Sequence, residues 1–151
     1  MKISMMAIDG NSMNCLLMNG DIVLLEQQGK IKFGDIFVYN FSGNNIIHRA
    51  LFIGLWDIWE AGDNNYRLRR VKKTQVVAKV VANITKNIDL DFPKLNRKIT
   101  RLNLLRCFLG KNVTSPRRLM KNKIICKLVL TLTKYRNRLQ LQYKKYRGSD
   151  E

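Results

Sequence analysis

Short apolar runs, each stopped by a turn-forming pair before it can grow into a long helix, occupy the first 85 residues of the chain. Ile3 to Ile8, Asp21 to Leu25, Asp35 to Phe41, Ile46 to Ile53, Leu55 to Glu60 and Val76 to Val81 are apolar or alternating. They are rich in β-branched and aromatic side chains, which suit a pleated, half-buried surface. Between them stand Asn19-Gly20, Gly29-Lys30, Phe33-Gly34, Ser42-Gly43-Asn44-Asn45 and Gly62-Asp63-Asn64-Asn65. Glycine and asparagine tolerate the backbone angles that reverse a strand. Many short strands and frequent turns predict a mainly β fold, a small antiparallel barrel or coiled sheet. An edge of such a sheet can accept an extended peptide as one more strand.

Charge divides the chain. Residues 1–85 hold ten Lys/Arg against seven Asp/Glu, whereas residues 86–151 hold eighteen against four, so +14 of the +17 net charge lies in the second part. The change falls near Asn83 to Pro93. It predicts a β domain over 1–85 and a basic α-helical C-terminal extension over 86–151. Leu95, Ile99, Leu102, Leu105 and Phe108-Leu109 recur at helical spacing between Pro93 and Gly110. Pro116 can open a second helix to about Tyr146. Met120, Ile124, Leu128, Leu132, Tyr135, Leu139, Tyr143 and Tyr146 would line one face, opposite Lys123, Lys127, Lys134, Lys144 and Lys145. Ile124 to Leu132 alone also fits a strand, but length and periodicity favour helix.

Several classes are disfavoured. A membrane-spanning helix needs about 20 apolar residues, and Ile3 to Ile8 ends at Asp9. That run is also too short for a signal-peptide apolar region. Lys127 divides Ile124-Ile125-Cys126 from Leu128-Val129-Leu130. The expectation is a cytoplasmic protein, soluble or membrane-peripheral. Cys15, Cys107 and Cys126 form no Cys-x-x-Cys pair, and with a single histidine no zinc pattern arises. No metal or cofactor is expected, and the thiols read as reduced.

Three residues carry candidate chemistry: Ser12 in Gly10-Asn11-Ser12-Met13, the lone His48 after Ile46-Ile47, and Asp63 in Gly62-Asp63-Asn64-Asn65. Singly, each has an ordinary reading as a turn or structural residue. Together they are the parts of a serine hydrolase. A serine hydroxyl needs a base to take its proton. An imidazole titrates in the right range, and an acid on its other nitrogen fixes the tautomer. Gly10 can take angles that turn the Ser12 amide toward a developing oxyanion.

Gly10-x-Ser12-Met13, Gly20-Asp21-x-Val23, Gly34-Asp35-Ile36, Ile47-His48-Arg49, Gly62-Asp63-Asn64-Asn65 and Val76-Val77-Ala78-Lys79-Val80 follow one another in a distinctive order. In that order and spacing, residues 3–83 resemble signal peptidases of the S26 type, among the S24/S26 serine peptidases. The resemblance implies a signal-peptidase- or LexA-like β core. It also implies Ser12 as nucleophile and His48 as general base, as in the endoplasmic-reticulum and archaeal branch, where histidine replaces lysine. It makes Asp63 the candidate orienting acid and the Ser12 and Met13 backbone amides the oxyanion donors. Cys15 stands where the family usually has proline, and Tyr66 to Arg70 lacks the second acid of the histidine branch. Asp63 is then either the acid of a triad or a scaffold residue beside a Ser12–His48 dyad.

The function expected is a serine endopeptidase that cleaves a peptide or protein precursor, in its specific version the leader of a ribosomally made, modified peptide. Two alternatives stay open: a catalytically weak binding module for a peptide or acidic partner, and a membrane-peripheral signal peptidase. The basic tail would meet an acidic leader or an anionic membrane surface. Nucleic acid is disfavoured, because no base-stacking motif or helix-turn-helix accompanies the charge.

Overall fold

The computed structural model describes residues 2–27, 29–65, 67–111 and 123–145. Eight strands come first: β1 (Lys2–Ala7), β2 (Ile22–Gln27), β3 (Ile36–Phe41), β4 (Asn44–Ile53), β5 (Asp57–Ala61), β6 (Arg69–Lys72), β7 (Val76–Asn83) and β8 (Ile88–Asp89). Two helices follow, α1 (Pro93–Lys111) and α2 (Lys123–Lys145). The sheet is antiparallel throughout and runs β1-β2-β7-β3-β4-β5-β6, with β8 also paired to β7. The fold class is that expected, a mainly antiparallel β half-barrel with C-terminal helices. Strand β7 closes the middle by pairing with both β2 and β3.

Local sequence explains the turns and the curvature. Ser42 and Gly43 link β3 to β4 with φ of 52° and 84°. Two consecutive positive φ values give the turn whose twist matches a two-residue hairpin. Register shifts at Leu24/Leu25, Val38/Tyr39 and Ala50/Phe52 add the bends that coil a sheet.

Alternation along the strands sends neighbouring side chains to opposite faces. On one face Phe37, Tyr39, Ala50, Ile58 and Val71 form an apolar cluster. The larger cluster joins Val23, Leu25, Ile36, Val38, Ala78 and Val80 to Met13, Leu16 and Leu17 and to helix residues Leu95, Ile99, Leu139 and Tyr143. Each such aliphatic side chain contributes roughly 1.5–3 kcal/mol on burial, so sheet and helices share one core.

Strands β6 and β8 were not expected from the sequence. The expected start of the second helix at Pro116 and its residues Met120 and Tyr146 lie outside the described residues. Its buried face differs in part: Leu139 and Tyr143 are buried as expected, but they are joined by Val129, Arg136 and Gln140, while Leu128 and Tyr135 are exposed. The helix is turned because it must offer polar groups, as well as apolar ones, to a buried charge on the sheet. Among the described residues no helix is long and apolar enough to cross a membrane.

Candidate active site

Ser12 sits in the turn that follows β1. Gly10, at φ 111°, starts it, and its amide donates to Asn19 Oδ1 at 3.2 Å. The amide of Gly20 closes the loop onto the Ile8 carbonyl at 2.9 Å. Leu16 and Leu17 amides turn back to the Met13 carbonyl, both at 3.1 Å, and Met13, Leu16 and Leu17 are buried. The nucleophile candidate is thus held up on an apolar footing while remaining half-exposed.

The turn after β5 grips this loop. The Asn64 amide donates to the Ser12 carbonyl at 2.7 Å, and the Asp63 amide to Met13 Sδ at 3.3 Å. Gly62 is the contact point. A Cβ there would lie 2.5 Å from the Ser12 carbonyl oxygen and 3.0 Å from both Ser12 Cβ and His48 Nε2. Ser12 Cβ and His48 Nε2 are therefore separated by no more than twice that 3.0 Å. The structure brings the two side chains together without a hydrogen bond between them.

His48 stands on β4 opposite Phe37, and its ring is buried. Its Nδ1 pairs with Glu60 Oε2 in a short contact. The other Glu60 oxygen accepts from the Tyr39 hydroxyl at 2.8 Å. Glu60 is fully buried. Burial, and then the Glu60 charge, raise the Tyr39 phenol well above its ordinary pKa, so it stays a donor. With Nδ1 engaged by a carboxylate, Nε2 is left toward Ser12, the arrangement that a proton-accepting imidazole requires. Tyr39, Glu60 and His48 form one chain of contacts leading to the serine.

Asp63, the acid expected beside His48, is placed on the opposite face. Its carboxylate takes a two-pronged contact from Arg49, Nε at 2.8 Å and Nη2 at 2.7 Å. Asn103 Nδ2 adds 2.6 Å and Gln140 Nε2 adds 2.8 Å. Its backbone carbonyl accepts from Arg106 Nη1 at 2.8 Å. Burial alone would raise this carboxyl, but Arg49 outweighs it and holds the pKa below the ordinary value. The reason is strand alternation: His48 and Arg49 are adjacent, so they point to opposite faces, and Asp63 serves Arg49. Glu60 was not singled out from the sequence. The signal available was an acid in phase with Ile58, on the strand that follows the one carrying the lone histidine.

A cleft of about 230 Å³ opens beside Ser12. The end of β1 and the following turn (Met6, Ile8, Gly10, Met13) wall one side, and Asn45, Ile46 and Ile47 at the start of β4 wall the other. Among the described residues no backbone carbonyl accepts from the Ser12 or Met13 amide. Unpaired donors at the edge of a cleft are available to a ligand oxygen. Strand β1 is an edge of the sheet, paired only with β2, so its outer side can hydrogen-bond an extended chain. Among the described residues no cluster of three His, Cys, Asp or Glu is placed to hold a metal.

A family model described as Peptidase S24-like matches residues 2–81 of the chain. Comparison with curated proteins returns no match.

Proposed function

From the premise that this chain belongs to the Peptidase S24-like family, a family of serine peptidases, we propose that it is an endopeptidase with Ser12 as nucleophile, His48 as general base and Glu60 as the residue that orients the base. One observation carries the reading: Ser12 Cβ and His48 Nε2 converge within 3.0 Å of the same point above Gly62, while Glu60 holds the far side of the ring. The histidine in place of the more common lysine favours the signal-peptidase histidine branch.

Ser12 Oγ attacks the scissile carbonyl as its proton passes to His48 Nε2. The Ser12 and Met13 amides receive the oxyanion. His48 then returns the proton to the leaving amine, and a water, activated by the same nitrogen, hydrolyses the acyl-enzyme. Glu60, in contact with Nδ1, stabilises the imidazolium formed midway. The small size of the cleft favours a small side chain before the cut. The substrate we propose is a precursor or leader peptide, read as an extended segment along β1. An acidic leader would be attracted by a chain of net charge +17.

The test is cleavage of a precursor encoded beside this chain's own gene, together with fluorophosphonate labelling. Wild type is expected to cut and to label, and Ser12→Ala and His48→Ala to do neither. Unchanged cleavage in both variants would end the assignment.

A further inference from the structure

The β4–β5 hairpin carries His48 and Glu60 toward its open end and a different surface at its closed end. There Leu55 and Trp56 are each 78% exposed, more than any other large apolar side chain among the described residues. Phe52 and Trp59, cross-strand partners just behind the tip, are also exposed. Cations flank them. Arg70 lies opposite Trp59 on β6, and its side chain stays 68% exposed while paired with Asp57. Lys72 and Lys73 are exposed as well. The Lys73 amide donates to the Trp56 carbonyl at 3.1 Å, which ties this basic segment to the tip.

An aliphatic and indole point beside Arg and Lys matches the lipid headgroup boundary. Indoles settle there, cations meet phosphate, and apolar side chains reach the acyl region. Leu55 decides between lipid and nucleic acid. Bases stack on aromatic rings, but an aliphatic side chain gains only by leaving water.

We propose that the Leu55-Trp56 tip of this hairpin docks the protein on an anionic lipid bilayer. The proposal is independent of the peptidase assignment. At about 3.4 Å per residue, His48 lies about 17 Å up β4 from Ile53. Docking would therefore hold the Ser12 cleft above the lipid surface rather than in it.

Trp56 and Trp59 are the chain's only tryptophans, so emission excited selectively at tryptophan, beyond tyrosine absorption, reads this patch alone. The full chain is mixed with vesicles of phosphatidylcholine, with or without phosphatidylglycerol. With phosphatidylglycerol present, emission is expected to shift to the blue and to be quenched by lipids brominated at shallow depth, about 5–10 Å into the boundary. The doubly substituted Leu55→Ser, Trp56→Ser chain is expected to partition at least about tenfold less. Co-sedimentation with tryptophan emission unmoved would mean docking by another surface and would overturn the proposal. Absence of vesicle binding would overturn it too, as would quenching by a single-stranded oligonucleotide with none by vesicles. The wild-type quenching needs no variant, so a substitution that unfolds the chain leaves the test intact.

Discussion

Gly62 sets the tolerance of the whole site. A methyl group there would stand 2.5 Å from a backbone oxygen of the serine loop, which cannot swing aside as a flexible side chain would. Gly62→Ala is therefore expected to displace Ser12 from His48. A misplacement on the order of 1 Å costs about a hundredfold in rate, and kcat for a cleaved precursor measures it. The two acids on either side of Gly62 are expected to part company under substitution. Glu60→Gln removes the charge on His48 Nδ1 and should lower kcat roughly a hundred- to ten-thousand-fold. Asp63→Asn leaves Arg49 buried without its partner and should cost about 3–5 kcal/mol of stability in urea unfolding. A large kcat loss in a stably folded Asp63→Asn, with Glu60→Gln fully active, would reverse the assignment. The sequence made Ser12, His48 and the Gly62 turn legible because glycines and a lone imidazole stand out. Glu60 did not, because an acid in a strand that also carries Asp57 names no partner until the register beside β4 is known. For the same reason Asp63 stood out by its turn, and only its side of the sheet shows that it meets Arg49.

The helices are elements with a double face, and this explains how they differ from an ordinary amphipathic hairpin. Helix α1 offers Leu95 and Ile99 to the core and Asn96, Asn103 and Arg106 to buried polar groups of the sheet. Helix α2 offers Leu139 and Tyr143 and, between them, Gln140. Burial pushes the Tyr143 phenol up to about 12, and its hydroxyl meets Asn96 Oδ1. Hydrophobic spacing located α1 between Pro93 and Gly110 almost to the residue. Spacing alone placed Leu139 and Tyr143 on the buried face but put Leu128 and Tyr135 there too, because a hydrophobic period takes no account of the buried Arg136 and Gln140. The orientation is checked by urea unfolding of two variants. Leu139→Ala should cost about 2–5 kcal/mol, and Leu128→Ser should stay within about 0.5 kcal/mol.

At the scale of the molecule, acid is the expected point of weakness. Burial raises the Asp21 carboxyl, but Lys86, Met18 and Asn83 contacts outweigh it and hold its pKa down. Arg49 does the same for Asp63. The folded chain then binds fewer protons than the unfolded one at low pH. This stabilisation is complete above the ordinary value of 3.8. It is lost as pH falls through the lowered values. Thermal unfolding followed by circular dichroism should show Tm steady from neutral pH to about 5 and falling below about 4. Asp21→Asn should flatten that fall, and a Tm that rises in acid would contradict the linkage.

Arg49 follows His48 in the chain, and Asp63 follows Gly62, so the bolt that fastens the helices shares two peptide links with the candidate site. Trimming the polypeptide ahead of Pro93 would thus not liberate a minimal hydrolase. It would strip Asn96, Asn103, Arg106 and Gln140 from that bolt and slacken the turn against which the serine rests. Such a fragment is expected to be inert however well its strands still pair.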